Sequence, residues 1–535
     1  MLEKIKKDKF IIFIEYAFVF GVISLAYFFM VPQSDVFLFA RATQGGLSNV
    51  LEYALYYGNG RLLGNILGML FSNYFEFAFL VVSIGCTLIV YLINKLIFNN
   101  NSHMVILLAI LVAFPSSNLI SETYYLFASF CNYVVPCIFL LISLNLLKNL
   151  ANYRNNIYVV IVKCILLGLT GTMSCLFSEN TTAVVLTISV LQLAYSIIIK
   201  RKVLLAQLVY LISTFVGVCI MLLIPTVTST SQKMDHYRGV EISLSRIIAN
   251  FVKLSEVLCN FTFVIIVLSV ALIYLCLKKT NINSKIKAAQ ISYFVCFSLL
   301  SIVLSDFETR DIYISRVNMV SMLSVIIYFV LAVWVIFSIA EKKLCIQLIF
   351  FGIVLASSIV PMMIVTQYGY RTYYITMLII VVFSLYVIKL SQVKKAFAKI
   401  PLEWRSIKTY FGICSGTVFL FLGIFCFVQS VYNYDFYIIR TDMVQEQLDE
   451  NKETGIDDYV EVFTLPCEGI SIEDEYVNLV FDVIDGGQPA KMKTVGILDC
   501  KSADEILAIL DSSFYVNLKF AFENLEYKNP LVLSN

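Results

Sequence analysis

Residues 10–35 read FIIFIEYAFVFGVISLAYFFMVPQSD, and this stretch decides what kind of protein the chain is. Its apolar part, 10–31, holds a single carboxylate, Glu15, and then meets Pro32 and Asp35. A hydrocarbon core of about 30 Å needs roughly 20 apolar residues in a helix, so 10–31 is long enough to cross it. No convincing small-residue cleavage site follows, so an uncleaved span is expected rather than a signal peptide. Lys4, Lys6, Lys7 and Lys9 precede it.

Composition generalises that reading. Of 535 residues, 59% are hydrophobic and 14% charged, against about 25% charged in a soluble domain. The chain is therefore neither an ordinary soluble globule nor a disordered one. Thirteen apolar runs are expected as spans, near 10–31, 75–98, 103–121, 127–149, 157–177, 180–200, 203–225, 249–277, 286–305, 316–340, 343–366, 371–392 and 409–430. The expected fold class is an all-α polytopic membrane protein followed by a small C-terminal α/β domain.

Charge sets the domains and the sides. Residues 1–430 hold 32 Lys+Arg against 16 Asp+Glu, whereas 431–535 hold 7 against 21. The first part reads as a membrane body and the second as an acidic, water-facing module large enough to fold alone. With the N-terminus inside, inner segments carry 22 Lys+Arg and outer loops 8, which is the bias that orients membrane proteins. Thirteen spans then put the C-terminal module outside the cytoplasm, and the location expected is the cell membrane. In the tail, 436–453 is expected to continue the last helix. Val460–Thr464, Tyr476–Val483 and Thr494–Leu498 alternate like strands, and Ser502–Glu505 is a capping box ahead of Ile506–Leu510. Cys467 and Cys500 would pair only in an oxidising compartment.

Several function classes recede. Two histidines, His103 and His236, leave no multi-histidine metal site and little room for a Ser-His-Asp enzyme. No metal cluster and no cofactor motif is read; whether a divalent cation assists stays open. Net charge is +2, which carries no argument about nucleic acid, and none is expected as a partner.

Charges beside a bilayer are expensive, so their positions carry information. The first outer loop, 32–74, offers Asp35 directly after the first span. Leu47, Val50, Leu51, Ala54 and Leu55 then recur at helical spacing, as in a helix lying in the interface. Gly58-Asn59-Gly60-Arg61 breaks it, and Leu62, Leu63, Ile66, Leu67 and Leu70 make a second short apolar face. Asp35 is the candidate base; its plainer reading is a group that solvates the end of the span. Arg61, Arg316 and Arg371 are candidate phosphate ligands, with lipid-headgroup anchoring as the alternative. Glu179-Asn180 would hold sugar hydroxyls or satisfy helix ends. Glu122, Asn132 and Tyr133 suit stacking on a sugar, or an interfacial aromatic belt.

Ser34-Asp35, Gly58-Asn-Gly-Arg-Leu-Leu-Gly-Asn65, Asn132-Tyr-Val-Val-Pro136 and Ser178-Glu-Asn-Thr181, on many spans with surface helices and an outer tail, resemble the GT-C class of membrane glycosyltransferases. The likeness is to bacterial multi-pass, glucosyltransferase-like families. The layout covers most of 1–430; the short motifs cover about 25 residues. Ser34 stands where the family commonly has a second acid, and Leu126–Cys131 replaces its aromatic-glycine segment. The resemblance implies a polyprenyl-phosphate-linked sugar as donor, a cell-envelope glycan or lipid as acceptor, and contact with membrane lipid.

The reaction would run at the outer interface. A carboxylate takes the proton of the attacking hydroxyl, typically worth 10²–10⁴-fold. Arginine neutralises the departing lipid phosphate. Two other classes compete with it. A flippase, transporter or lipid-linked glycan polymerase is one, and a transporter should carry polar residues through the middles of several spans. A non-catalytic scaffold or sensor is the other, and it gives these charges no reason to converge.

Overall fold

A backbone buried in lipid must satisfy its own hydrogen bonds, so long apolar runs fold as helices. The computed structural model describes residues 2–31, 35–43, 46–57, 60–100, 104–150, 157–201, 205–224, 242–278, 283–305, 314–338, 342–365, 369–391, 403–454, 460–463 and 492–495. α1 (Leu2–Ala26) leads to the short α2 (Asp35–Thr43), α3 (Leu47–Glu52) and α4 (Leu62–Ser72). Then come α5 (Ala78–Phe98), α6 (Val105–Ala113), α7 (Ser117–Ile120), α8 (Phe127–Ser129), α9 (Val135–Leu150), α10 (Ile157–Ser174), α11 (Glu179–Tyr195) and α12 (Leu205–Leu223). α13 (Leu244–Asn260), α14 (Thr262–Lys278), α15 (Ser284–Ser305), α16 (Ile314–Phe337), α17 (Lys342–Ile359), α18 (Tyr374–Ser391) and α19 (Glu403–Thr454) complete the helices.

Among the described residues, nine helices are long and apolar enough to cross a membrane, or eleven if two bent pairs each make one span. The expected thirteen is not confirmed by this count. Runs 10–31 and 316–340 lie on α1 and α16, helices of 25 and 24 residues, whose apolar stretches among the described residues are Phe10–Ala26 and Ser321–Phe337. Helix α1 gives way to a turn over residues 27–29, just ahead of Pro32, which disfavours helix in the residue before it. Run 249–277, expected as one span, bends by 76° between α13 and α14. Phe261 leaves the helical region there with ψ 49°. Asn260 and Thr262, flanking it, are residue types that compete for backbone hydrogen bonds. Run 103–121 bends by 78° between α6 and residues 118–125, because Pro115 removes a donor and clashes with the preceding turn.

That break exposes carbonyls which must find donors in a dry interior. Tyr27 donates to Ala113 O at 3.0 Å, and Tyr124 donates to Val112 O. Tyr125 and Ser430 both donate to Ala26 O at the end of α1, at 3.0 and 3.1 Å. At the opposite end of the bundle, Lys148 donates to Lys95 O and Leu96 O, and Lys389 to Ile97 O. Polar side chains thus terminate the inner helices. Tyr27→Phe, which orphans Ala113 O at a fully buried position, is expected to cost about 1–3 kcal/mol, read as a lowered midpoint in detergent unfolding.

The lipid-facing surface lies on helices such as α10 and α19. Tyr158 (76%) and Phe421 (66%) stand exposed there, as bilayer contact requires and water would not favour. Of the expected interfacial helix, Val50 and Ala54 are buried beside Phe39 and Met69, while Leu47 and Leu51 stay exposed. The domain boundary expected at 430/431 falls inside a helix. α19 runs unbroken for 52 residues, about 78 Å at 1.5 Å per residue, because neither Gly nor Pro occurs between Gly423 and Gly455. Beyond it, Val460–Phe463 (β1) pairs in parallel with Met492–Val495 (β2), Val460 opposite Met492. The expected elements Tyr476–Val483 and Ile506–Leu510, and Cys467 with Cys500, lie outside the described residues.

Candidate functional site

Arg61 directly precedes α4 in a non-helical conformation (φ −92°, ψ 72°). It is 6% exposed, and a buried guanidinium is tolerated only with compensating partners. Glu179 Oε2 lies 3.6 Å from its Nη2. The Tyr133 ring faces it, with the guanidinium carbon 4.8 Å from the ring centroid, within cation–π range. Backbone contact fixes the register: Leu63 N donates to Leu176 O at 3.0 Å, tying the first turn of α4 to the chain just ahead of Glu179.

Asn132 and Tyr133 sit on a π-helical turn, Phe130–Val134, and Glu122 on another, Ser121–Tyr125. Wide turns of this kind are frequent at functional sites. Asn132 Nδ2 donates to Ala128 O at 2.9 Å and to Asn65 Oδ1 at 3.4 Å. Gly64 permits this approach, since a Cβ there would overlap the Asn132 amide.

A second group adjoins the first. Arg371 N donates to Glu122 Oε2 at 3.0 Å, and Arg371 Nη1 to Ser129 Oγ at 3.1 Å. Gly369 supplies the room: a Cβ there would strike the same carboxylate. Asn180 Nδ2 donates to Thr372 O at 3.0 Å, so the residue beside Glu179 holds the residue beside Arg371. One connected set therefore includes Arg61, Glu122, Asn132, Tyr133, Glu179, Asn180 and Arg371, drawn from five separate stretches of chain. Gly369→Ala is expected to displace Glu122 and lower any activity of the site at least tenfold, with far-ultraviolet helix content unchanged.

Among the described residues, Asn132 Oδ1, Tyr133 Oη and Asn180 Oδ1 are buried in this set with no hydrogen-bond partner. Buried polar atoms are normally paired, and exceptions point to water or a ligand. Two neighbours not singled out from the sequence adjoin the set. Tyr370 donates to Glu256 Oε1 at 3.2 Å. Asn250 Nδ2 lies 2.9–3.0 Å from the carbonyls of Met362, Met363 and Val365. Ser129 and Asn65 fall inside stretches already marked; Asn250 and Tyr370 had no signal beyond residue type.

Asp35 is the first residue of α2, and Arg316 lies in the first turn of α16; their side chains lie outside the described set. α2 packs along α4: Thr43 Oγ1 donates to Asn73 Oδ1 at 3.0 Å, and the Phe39 ring covers Gly68. Among the described residues, no group of three or more His, Cys, Asp or Glu stands where a metal ion would be held. No family model, curated protein or solved structure matches the chain.

Proposed function

We propose that the chain is a membrane glycosyltransferase that moves a sugar from a polyprenyl-phosphate donor to a cell-envelope glycan or lipid acceptor at the outer face. The observation that carries this reading is the gathering of Arg61, Tyr133, Glu179, Asn180, Glu122 and Arg371 at one end of the bundle. A scaffold gives no reason to hold a buried arginine, a paired carboxylate and three orphaned polar atoms together. In this reading Arg61 and Arg371 face the departing phosphate, with Arg316 as a third ligand. Glu122, Asn132, Tyr133, Glu179 and Asn180 hold sugar or acceptor hydroxyls. Asp35 is the base in this reading, a role that suits the first residue of a helix packed along α4.

The same proposal completes the topology. Thirteen spans with a cytoplasmic N-terminus place this end of the bundle outside, and place beyond it an acidic α/β module whose core includes the parallel β1–β2 pair. The chemistry needs no step through a metal. A carboxylate removes the acceptor proton, the anomeric centre passes through an oxocarbenium-like state, and fixed cations stabilise the phosphate in a water-poor cleft. The test incubates purified protein with a panel of polyprenyl-phosphate sugars and candidate acceptors. Transfer by the wild type and not by Asp35→Asn is the expected result. Equal turnover by both removes Asp35 as base, and no turnover with any donor removes the proposal.

A further inference from the structure

A cavity of about 580 Å³ lies between α9, α11, α17 and α18, away from the arginine cluster. Its size falls within the range typical of ligand sites, roughly 300–1,000 Å³. On α18 the lining residues are Ile375, Leu378, Ile379, Val382, Tyr386 and Lys389, one stripe at helical spacing. That stripe is about 21 Å long at 1.5 Å per residue. Its polarity is graded, from purely aliphatic at the Ile375 end to a tyrosine and a lysine at the other.

The remaining walls show the same gradient. α9 contributes Leu140 and Leu144 and ends at Lys148, while α11 passes from Ile188 to Gln192. α17, which begins at the polar end, places Gln347 there, and Tyr386 donates to its Oε1. The two ammonium groups lie close together, because they donate to the adjacent carbonyls Leu96 O and Ile97 O at 2.8 and 2.6 Å. Capping the end of α5 consumes all three donors of Lys148, the third going to Asn99 Oδ1. Lys389 makes one such bond among the described residues. Among the described residues neither lysine has a carboxylate partner, and both ammonium groups stand at the polar end of the cavity.

We infer that this cavity binds a long-chain phosphate amphiphile, an anionic membrane lipid, with its chain between the helices and its phosphate at Lys389 beside Lys148. Basic pockets between transmembrane helices are the known physical setting for such headgroups. The grade from aliphatic to cationic along the cavity matches the length and polarity of one lipid chain. The site stands apart from the proposed transfer chemistry: the lysines occupy the C-terminal ends of α9 and α18, whereas Tyr133 and Arg371 precede their N-terminal ends.

Binding is measured on the full chain in detergent, without sugar donor, by native mass spectrometry and thermal shift. Phosphatidylglycerol, phosphatidylcholine, diacylglycerol and glycerol phosphate are the ligands. Phosphatidylglycerol is expected to bind at least tenfold more tightly than phosphatidylcholine or diacylglycerol, and glycerol phosphate to give no shift. Lys389→Gln should weaken phosphatidylglycerol about fivefold, the effect of one basic residue, and Lys389→Arg should restore it. Leu144→Trp, which fills the cavity from α9, should abolish binding whatever the headgroup. Equal binding of phosphatidylglycerol and diacylglycerol, or unchanged binding by Leu144→Trp, overturns the inference. A thermal shift by glycerol phosphate alone would mean a headgroup-only site and would equally overturn it. None of these outcomes bears on the transfer reaction, which is assayed separately.

Discussion

Arg61→Met is expected to lower sugar transfer by about 10²–10³-fold, the scale seen when one preorganised charge-stabilising donor is removed. The fold should survive. Met fills the same buried volume, and exchanging a buried ion for an apolar group of similar size is often neutral in stability. Its partner Glu179 is 48% exposed in its side chain, so the carboxylate left behind stays hydrated. Arg61→Lys should fall between wild type and Arg61→Met. Lysine keeps the charge but lacks the planar fork that meets phosphate oxygens and lies over the Tyr133 ring. Initial rates with reconstituted protein, beside unfolding midpoints, separate this from a purely structural role. A structural arginine would move the midpoint, not the rate of the folded fraction.

Asp35→Asn should cost about 10²–10⁴-fold in turnover, the usual contribution of a general base. The amide keeps the size and a hydrogen-bonding oxygen but cannot take the acceptor proton. Asp35→Glu is expected to recover part of the loss, since a carboxylate one methylene longer from the start of α2 still reaches the hydroxyl at reduced precision. Donor binding should be nearly unchanged in both variants, so the effect appears in kcat rather than KM.

Much of the fold was readable from residues alone because bilayer thickness is a strict ruler. Runs such as 75–98, 127–149 and 371–392 coincide with Phe75–Phe98, Phe127–Leu150 and Tyr370–Lys389 to within a few residues. Hydropathy has no direction, however. It gave 249–277 as one run and could not show that the chain turns by 76° at Phe261, since a bend costs no apolar residues. The stretch 436–453, expected to continue the last helix, lies within α19, which runs to Thr454.

At the candidate site, residue type and position at a helix end were legible. Arg61, Glu179, Asn180, Glu122 and Arg371 were each marked by being ionised or amide-bearing at a helix end. Their pairing was not legible. Arg61 meets Glu179 across 118 positions, and Glu122 meets the backbone of Arg371 across 249; only tertiary packing sets such contacts. Nor did the sequence reveal the glycines' part, because the need for Gly64 and Gly369 arises from the partners Asn132 and Glu122. The lysine-mouthed cavity was hidden for the same reason. Lys148 and Lys389 each read as topology-setting charges, and only the shared end of α5 brings them together.

The most direct measurement is the transfer rate of the double variant Asp35→Asn/Arg61→Met from a polyprenyl-phosphate donor, set beside the two single variants. If both side chains serve one transition state in one pocket, their losses are not additive, and the double variant should be no more than about tenfold slower than the worse single. Losses that multiply in full would mean that the two residues act independently, and rates equal to wild type in all three would contradict the account outright.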